Sequence, residues 1–94
     1  MPELVPTIAD IVAWSDHVTS YDEQHFLTYA RLLDADAINA DWREVARIVL
    51  FRDPVKDPER AHRCWQTHLD RAKWIATTGY QQLVDKADLR SKRH

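Results

Sequence analysis

Backbone-breaking residues occur at only a few positions, and this feature restricts the fold more than any other. The four prolines lie at positions 2, 6, 54 and 58, and the single glycine is Gly79. Two long stretches therefore run without a breaker, whereas a strand-rich domain of this size needs many tight turns and usually more glycine. The 94 residues suffice for one domain, and 45% of them are apolar, which supplies a core. We expect one all-α domain of about four helices.

The first long helix is predicted to begin at Ser20 and to run to about Ala37, ending near Asn39. Ser20 and Glu23 have the spacing of a capping box, in which each side chain covers a free backbone N–H of the other residue. Leu27 and Leu32 lie off the centre of the apolar face. The predicted buried face of this helix comprises Phe26, Tyr29, Ala30, Leu33 and Ala37. The preceding residues 1–19 are predicted to be either an N-terminal arm or a short helix capped by Thr7.

A second helix is predicted from Asp41, which serves as N-cap with Glu44 in the position of a second capping box. The buried face of this helix is predicted to consist of Trp42, Val45, Ala46 and Val49. Three further apolar residues lie outside this face, namely Ile48, Leu50 and Phe51. The end of this helix is therefore either enclosed or a contact surface.

The third helix is predicted over 58–78, after a connection at 52–57. Asp57 followed by Pro58 favours a helix start, because Asp accepts from free N–H groups and Pro at the first position needs no N–H of its own. Its predicted core face comprises Ala61, Cys64, Trp65, His68, Leu69, Ala72, Ile75 and Ala76. Gly79 is predicted to be a left-handed C-cap. A short fourth helix is expected to turn Tyr80, Leu83, Val84 and Ala87 inward, so that the domain spans 20–87 and a basic tail follows at 88–94.

No catalytic constellation emerges from the sequence. Cys64 and His68 are four residues apart on one helix, but we find no convincing third or fourth zinc ligand, so we interpret them as a buried thiol beside a satisfied core histidine. One glycine cannot build a phosphate-binding loop. We therefore expect no enzyme, no metal and no cofactor. The lack of a signal-like or membrane-spanning apolar run, with a single cysteine, favours the cytoplasm.

The pair of helices at 41–51 and 58–78 is typical of a helix-turn-helix, in which the second helix enters the major groove of DNA. Arginine on that face reads guanine or binds phosphate. The DNA-facing residues predicted by this interpretation are Arg60, Arg63, Thr67, Arg71 and Trp74. The alternative that the pattern leaves open is an ordinary solvated face of a helical bundle.

Charge is divided unequally along the chain. Residues 1–50 carry three arginines against nine acids, whereas residues 51–94 carry ten Lys and Arg against six acids. Asp53, Asp57, Glu59 and Asp70 interrupt the cations on and before the third helix, and the whole chain has a formal charge of −2. Because phosphate neutralisation supplies most non-specific DNA affinity, this balance weakens the DNA hypothesis.

Four segments carry a resemblance to a known bacterial family. They are ADWREVARIVLF at 40–51, PERAHR at 58–63, HLDRAKW at 68–74 and GYQQLV at 79–84. Tyr21, Asp22 and the run from Tyr29 to Ala35 add to it, so that the similarity covers roughly residues 20–85. The chain resembles an extended-turn helix-turn-helix family that was formerly catalogued only as a domain of unknown function.

The resemblance implies a compact helix-turn-helix variant with its extended turn at 51–57. Some members of the family, with a further N-terminal domain, activate transfer of integrative and conjugative elements, and short members act as quorum-sensing antiactivators that bind such activators. The chain has no room for the further domain, so the antiactivator class is expected, with a transcriptional activator as its protein partner. The partner-binding residues predicted on the first two helices are Leu27, Arg31, Arg47, Ile48 and Phe51. The alternative function is a DNA-binding regulator that reads DNA with the helix at 58–78.

Overall fold

The structure is a computed structural model that describes residues 7–82, 84 and 85. Its helices are α1 (Ser20–Gln24), α2 (Phe26–Ala37), α3 (Trp42–Val49) and α4 (Pro58–Trp74), and α4 continues into a π-helical turn (Ile75–Gly79). Helical backbone continues at 80–82 and at 84 and 85, and the described residues contain no strand. The expected all-α fold of about four helices is confirmed, and the order of α3, a connection and α4 is compatible with a helix-turn-helix. The predicted inward positions Leu83 and Ala87 and the tail at 88–94 lie outside the described residues.

The first helix begins at Ser20 as predicted, but its N-cap and its middle differ from the prediction. Thr19, not Ser20, is the N-cap, and it forms a capping box with Asp22. The predicted single helix is interrupted at His25, whose Nδ1 lies 2.7 Å from the Tyr21 carbonyl oxygen. That carbonyl would otherwise accept the His25 backbone N–H, which instead donates to the Asp22 carbonyl oxygen at 3.0 Å. The ring therefore breaks the helix ladder and separates α1 from α2.

The end of α2 is confirmed at the predicted place. Asn39 has a φ of 55°, in the left-handed region. The Ala40 N–H donates to the Ala35 carbonyl and the Asn39 N–H to the Asp36 carbonyl, both at 3.0 Å. These two bonds are those of a Schellman motif, which satisfies the last carbonyls of a helix.

Both later helix starts are confirmed, although one capping box is not formed. Asp41 accepts from the Arg43 N–H at the start of α3, and Asp57 accepts from the Arg60 N–H at the start of α4, where Pro58 occupies the first turn. The Glu44 side chain does not accept the Asp41 backbone N–H and instead pairs with Arg47.

The core lies between α2, α3 and α4, with one residue from the N-terminal segment. Its buried members are Ile8, Tyr29, Leu32, Val45, Leu50, Cys64, Leu69 and Ala72. The predicted faces of α3 and α4 are largely confirmed, except that Ala76 is exposed. On α2 the face is rotated, because Leu32 is buried while Phe26, Ala30 and Ala37 are exposed.

The predicted C-cap at Gly79 is wrong. Gly79 is buried in the π-helical turn and does not have a positive φ. A Cβ there would lie 3.0 Å from a ring carbon of Trp74, so any larger residue would require that indole to shift. The inward position predicted for Tyr80 is also wrong, since its side chain is exposed, whereas Val84 is half-buried.

Residues 7–18 form no regular structure, so the short helix predicted after Thr7 does not form. They run as an N-terminal arm against α4 and the loop before it, and the contacts of this arm are described below. Within the described residues, no helix combines the length and the apolar character needed to cross a membrane.

Candidate functional site

The N-terminal arm covers much of the α4 face that the sequence assigns to DNA. Arg60 donates from Nε to Asp10 Oδ1 at 2.9 Å, and the Val12 N–H donates to Thr67 Oγ1 at 3.3 Å. Trp74 packs against Trp14 with ring centroids 5.8 Å apart. Arg71 also contacts the arm, so four of the five predicted DNA-facing residues do so. The fifth is Arg63, whose side chain has no hydrogen bond or ion pair with the described part of the chain.

Arg71 is completely buried, so its prediction as an exposed DNA-facing residue is wrong. Its guanidinium pairs with Asp22, donating from Nε to Oδ1 at 3.0 Å and from Nη2 to Oδ2 at 2.6 Å. Two further hydrogens go to the arm, where Nη1 lies 2.6 Å from the Ser15 carbonyl oxygen and Nη2 lies 2.8 Å from that of His17. The guanidinium carbon also lies 4.1 Å from the ring centroid of Trp74. A planar group with a fixed fork of donors suits this stacked, bidentate role.

The Asp22 carboxylate is the anion that makes this burial possible. Burial alone would raise the pKa of Asp22, but hydrogen bonds from Arg71, the Thr19 backbone and the Tyr29 hydroxyl outweigh it and lower that pKa below its ordinary value. The Tyr29 hydroxyl donates to Oδ1 at 2.7 Å. Arg71 therefore joins α1, α4 and the arm, and it is a structural residue.

The Cys64 and His68 pair is the satisfied core pair that the sequence predicts. His68 Nδ1 donates to the Cys64 carbonyl oxygen at 2.7 Å, and its Nε2 lies 2.6 Å from the Tyr21 hydroxyl. Burial lowers the pKa of His68 to about 4 and raises the pKa of the Cys64 thiol. A thiol held neutral in this way is a poor nucleophile. Among the described residues, no three His, Cys, Asp or Glu side chains lie together as a metal site would require.

All five predicted partner-binding residues are exposed, but they do not line one groove. Leu27 and Arg31 lie on α2, whereas Arg47 and Ile48 lie on α3 and Phe51 follows it. The apolar side chains of this set are exposed by 65% at Leu27, 64% at Ile48 and 60% at Phe51. Exposed large apolar side chains suit protein contact when they adjoin further apolar surface.

An apolar groove between α2 and the end of α4 is the feature that the sequence missed. It has a volume of about 250 Å³. Its lining residues are Phe26, Tyr29, Ala30, Leu33, Ala72, Ile75, Ala76 and Tyr80. Leu27 and Arg31 directly follow Phe26 and Ala30 on α2, but neither of them lines the groove. The apolar periodicity identified Phe26, Ala30 and Leu33, but it could not show that α4 leaves them partly uncovered.

A second surface surrounds Phe51, at the start of the connection between α3 and α4. Arg47, Phe51, Arg52, Asp53 and Val55 line a groove of about 530 Å³ there. Phe51 has a φ of 58°, which brings the Arg52 N–H to the Ala46 carbonyl oxygen at 3.0 Å. A bulky residue in the left-handed region is strained, and such strain is concentrated at functional sites. Arg47 and Phe51 thus line the same groove, and neither of them lines the apolar groove between α2 and α4.

In comparisons with models of known protein families and with curated proteins, no family model and no curated protein matches this chain.

Proposed function

We propose that this chain is an antiactivator that binds and inhibits a transcriptional activator controlling transfer of an integrative and conjugative element, under quorum-sensing control. The proposal combines the resemblance of residues 20–85 to the extended-turn helix-turn-helix family with the apolar groove between α2 and α4. It includes membership of that family, a cytoplasmic location and a function that involves neither an enzymatic reaction nor a small-molecule substrate.

The groove is the observation that carries the proposal. Its walls are formed by apolar side chains of two different helices, and it is open to solvent at Phe26, Ala30 and Tyr80. A groove of this kind is suited to the apolar face of an amphipathic helix, whose side chains repeat every three to four residues. We propose that a bound helix also contacts the exposed Leu27 and Arg31, which follow Phe26 and Ala30 on α2.

The arm is an argument against the alternative function, DNA reading by α4. A DNA-binding helix needs its polar face free to reach base edges and phosphates. In this chain Arg60 and Thr67 bind the arm, and Arg71 is committed to Asp22. The charges available for phosphate are therefore fewer than the sequence suggests.

The proposal is tested by co-purification of the tagged chain with activators of conjugative transfer, alongside a gel shift with duplex DNA. The expected result is a stable complex with one such activator and no salt-sensitive DNA binding. The proposal fails if none of these activators binds, or if duplex DNA is bound and the Arg63→Ala variant loses that binding.

A further inference from the structure

Two grooves adjoin each other at the connection between α3 and α4 and share Phe51, Arg52 and Asp53. The larger one is the groove beside Arg47 and Val55 described above. The smaller one, of about 230 Å³, continues towards the start of α4. Its further lining residues are Lys56, Asp57, Arg60 and Ala61. Together they form one surface, which we name the turn groove.

The turn groove has more cationic than acidic lining residues, four against two. Both carboxylates already accept hydrogen bonds from backbone N–H groups. Asp53 accepts from Val55 and Lys56 at 2.9 and 3.1 Å, and Asp57 caps α4. Lys56 has no ion pair with a carboxylate of the described residues. Of the four lining cations, Arg47 pairs with Glu44, and Arg52 and Arg60 pair with Asp10, so a ligand finds positive charge at Lys56 and where it displaces Asp10.

The arm already places one carboxylate on this surface. Asp10 Oδ1 accepts from Nε of Arg52 and from Nε of Arg60, each at 2.9 Å. Nη2 of Arg52 donates to the Ile8 carbonyl oxygen at 2.6 Å, so the two arginines hold this part of the arm by one carboxylate and one backbone carbonyl. The side chain of Asp10 remains about half exposed, at 48%, so another carboxylate can reach the same position from solvent.

The geometry points to a docking site in the turn groove for an extended acidic peptide of a partner protein, with Asp10 occupying its carboxylate position in the free chain. Arg52 and Arg60 bind the carboxylate of the partner, Lys56 adds a second charge, and Phe51 contacts an apolar residue beside it. Asp10 is thus an internal competitor. This inference rests on the proposed function only for the premise that the chain binds a protein.

The apolar side chains distinguish a peptide from a nucleic acid as the occupant. Val55 is 86% exposed and, like Phe51, borders the cations. A phosphate backbone offers no apolar partner for these two side chains. A peptide that alternates acidic and apolar residues satisfies both parts of the surface.

The test uses the full chain and a fluorescein-labelled probe peptide of sequence EDFDLDE, measured by fluorescence anisotropy. Three chains are compared with the wild type: Asp10→Ala, the double variant Asp10→Ala with Arg60→Ala, and a matched control, Asp10→Ala with Arg43→Ala, whose exposed arginine lines neither the turn groove nor the α2–α4 groove. Asp10→Asn is a second way to remove the charge, and circular dichroism checks that each variant is folded. Unlabelled duplex DNA is added as a competitor.

We expect Asp10→Ala and Asp10→Asn to bind the probe about fivefold more tightly than the wild type, as removal of a partly exposed competing ion pair allows. The Arg60→Ala double variant loses this gain, and the Arg43→Ala control keeps it. Equal affinity in all five chains, or no binding to any of them, overturns the inference. Displacement of the probe by duplex DNA at matched charge overturns it in favour of a nucleic-acid site. Because neither the activator nor the α2–α4 groove enters this assay, failure here is distinct from failure of the proposed function.

Discussion

Arg71 and Asp22 form an ion pair in which both side chains are fully buried, with Nη2 of the arginine 2.6 Å from Oδ2 of the aspartate. The same guanidinium donates to the carbonyl oxygens of Ser15 and His17 in the arm. Every buried side-chain nitrogen and oxygen among the described residues has a hydrogen-bond partner, so the cost of burying these charges is offset by bonds. The arm is therefore part of the folded domain.

Loss of this ion pair is expected to be severe. Arg71→Ala leaves the Asp22 carboxylate buried without its counter-charge, which destabilises a domain by about 3–5 kcal/mol. Urea unfolding followed by circular dichroism measures the effect. The matched control is Arg63→Ala on the exposed side of the same helix, for which we expect a change within about 0.5 kcal/mol. Similar small losses in both variants would show that Arg71 is not buried as described.

His68 makes stability depend on pH in a defined window. Its pKa is lowered from 6.5 to about 4 in the folded chain, so the unfolded chain binds more protons between these values. The contribution of neutral His68 to the free energy of unfolding is fully present above pH 6.5. As the pH falls from 6.5 towards 4, the free energy of unfolding decreases by up to about 1.4 kcal/mol per pH unit. The lowered pKa of Asp22 adds a further loss below its ordinary 3.8.

The check is the free energy of unfolding at pH 7, 6, 5 and 4. His68→Gln is expected to flatten the curve between pH 6.5 and 4, whereas His62→Gln, at an exposed position of α4, leaves it unchanged. An unchanged slope in His68→Gln would contradict the assignment of the buried histidine.

At position 51 we expect a glycine variant to be more stable than an alanine variant, which is the reverse of the usual order in a helix. Because its φ is 58°, Phe51→Gly relieves backbone strain that Phe51→Ala retains, and the glycine variant should be more stable by about 1 kcal/mol. At Ile48, in the regular helix α3, the order should be the ordinary one, with alanine more stable than glycine by about 1 kcal/mol. Thermal unfolding of the four variants measures both differences. The same order at both positions would rule out the left-handed backbone at Phe51.

The arm is expected to loosen when its indole is removed. The Trp14 ring centroid lies 5.0 Å from the guanidinium carbon of Arg71, and the ring meets Trp74 edge-on. Trp14→Ala should therefore speed hydrogen exchange at the arm amides of Ala9 and Val12 more than at the amide of Ala72 in α4. Ile11→Ala, at an exposed arm position, is the control and should leave these rates nearly unchanged. Equal acceleration in both variants would mean that the indole does not hold the arm.

The parts of the fold that could be predicted from sequence are those with a local signal. Asp41, and Asp57 with Pro58, are helix starts whose chemistry lies within one turn, and the end of α2 near Asn39 follows from the loss of periodicity. Thr19 was missed because Thr19 with Asp22 and Ser20 with Glu23 have the same spacing, so the pattern alone does not choose between them.

The parts that could not be predicted depend on contacts between distant segments. Helical periodicity placed Arg71 with the exposed residues, because a charged side chain is buried only where a remote carboxylate and carbonyl oxygens meet it. The break at His25 depends on its own ring, which bonds the Tyr21 carbonyl oxygen. The α2–α4 groove could not be predicted for the same reason. Periodicity identifies an apolar face but not how much of that face a neighbouring helix covers.

The central claim, that the chain binds an activator through the α2–α4 groove, is tested most directly by one affinity measurement. Ala30→Arg places a charge in the groove at an exposed position, and Ala37→Arg places the same charge on the same helix outside it. Both variants should fold, because both positions are exposed. In isothermal titration with the activator that co-purifies, Ala30→Arg is expected to weaken binding by about 30-fold or more, the loss typical of a central contact, and Ala37→Arg to change it by less than about threefold. Equal affinities of the two variants and the wild type would contradict the account.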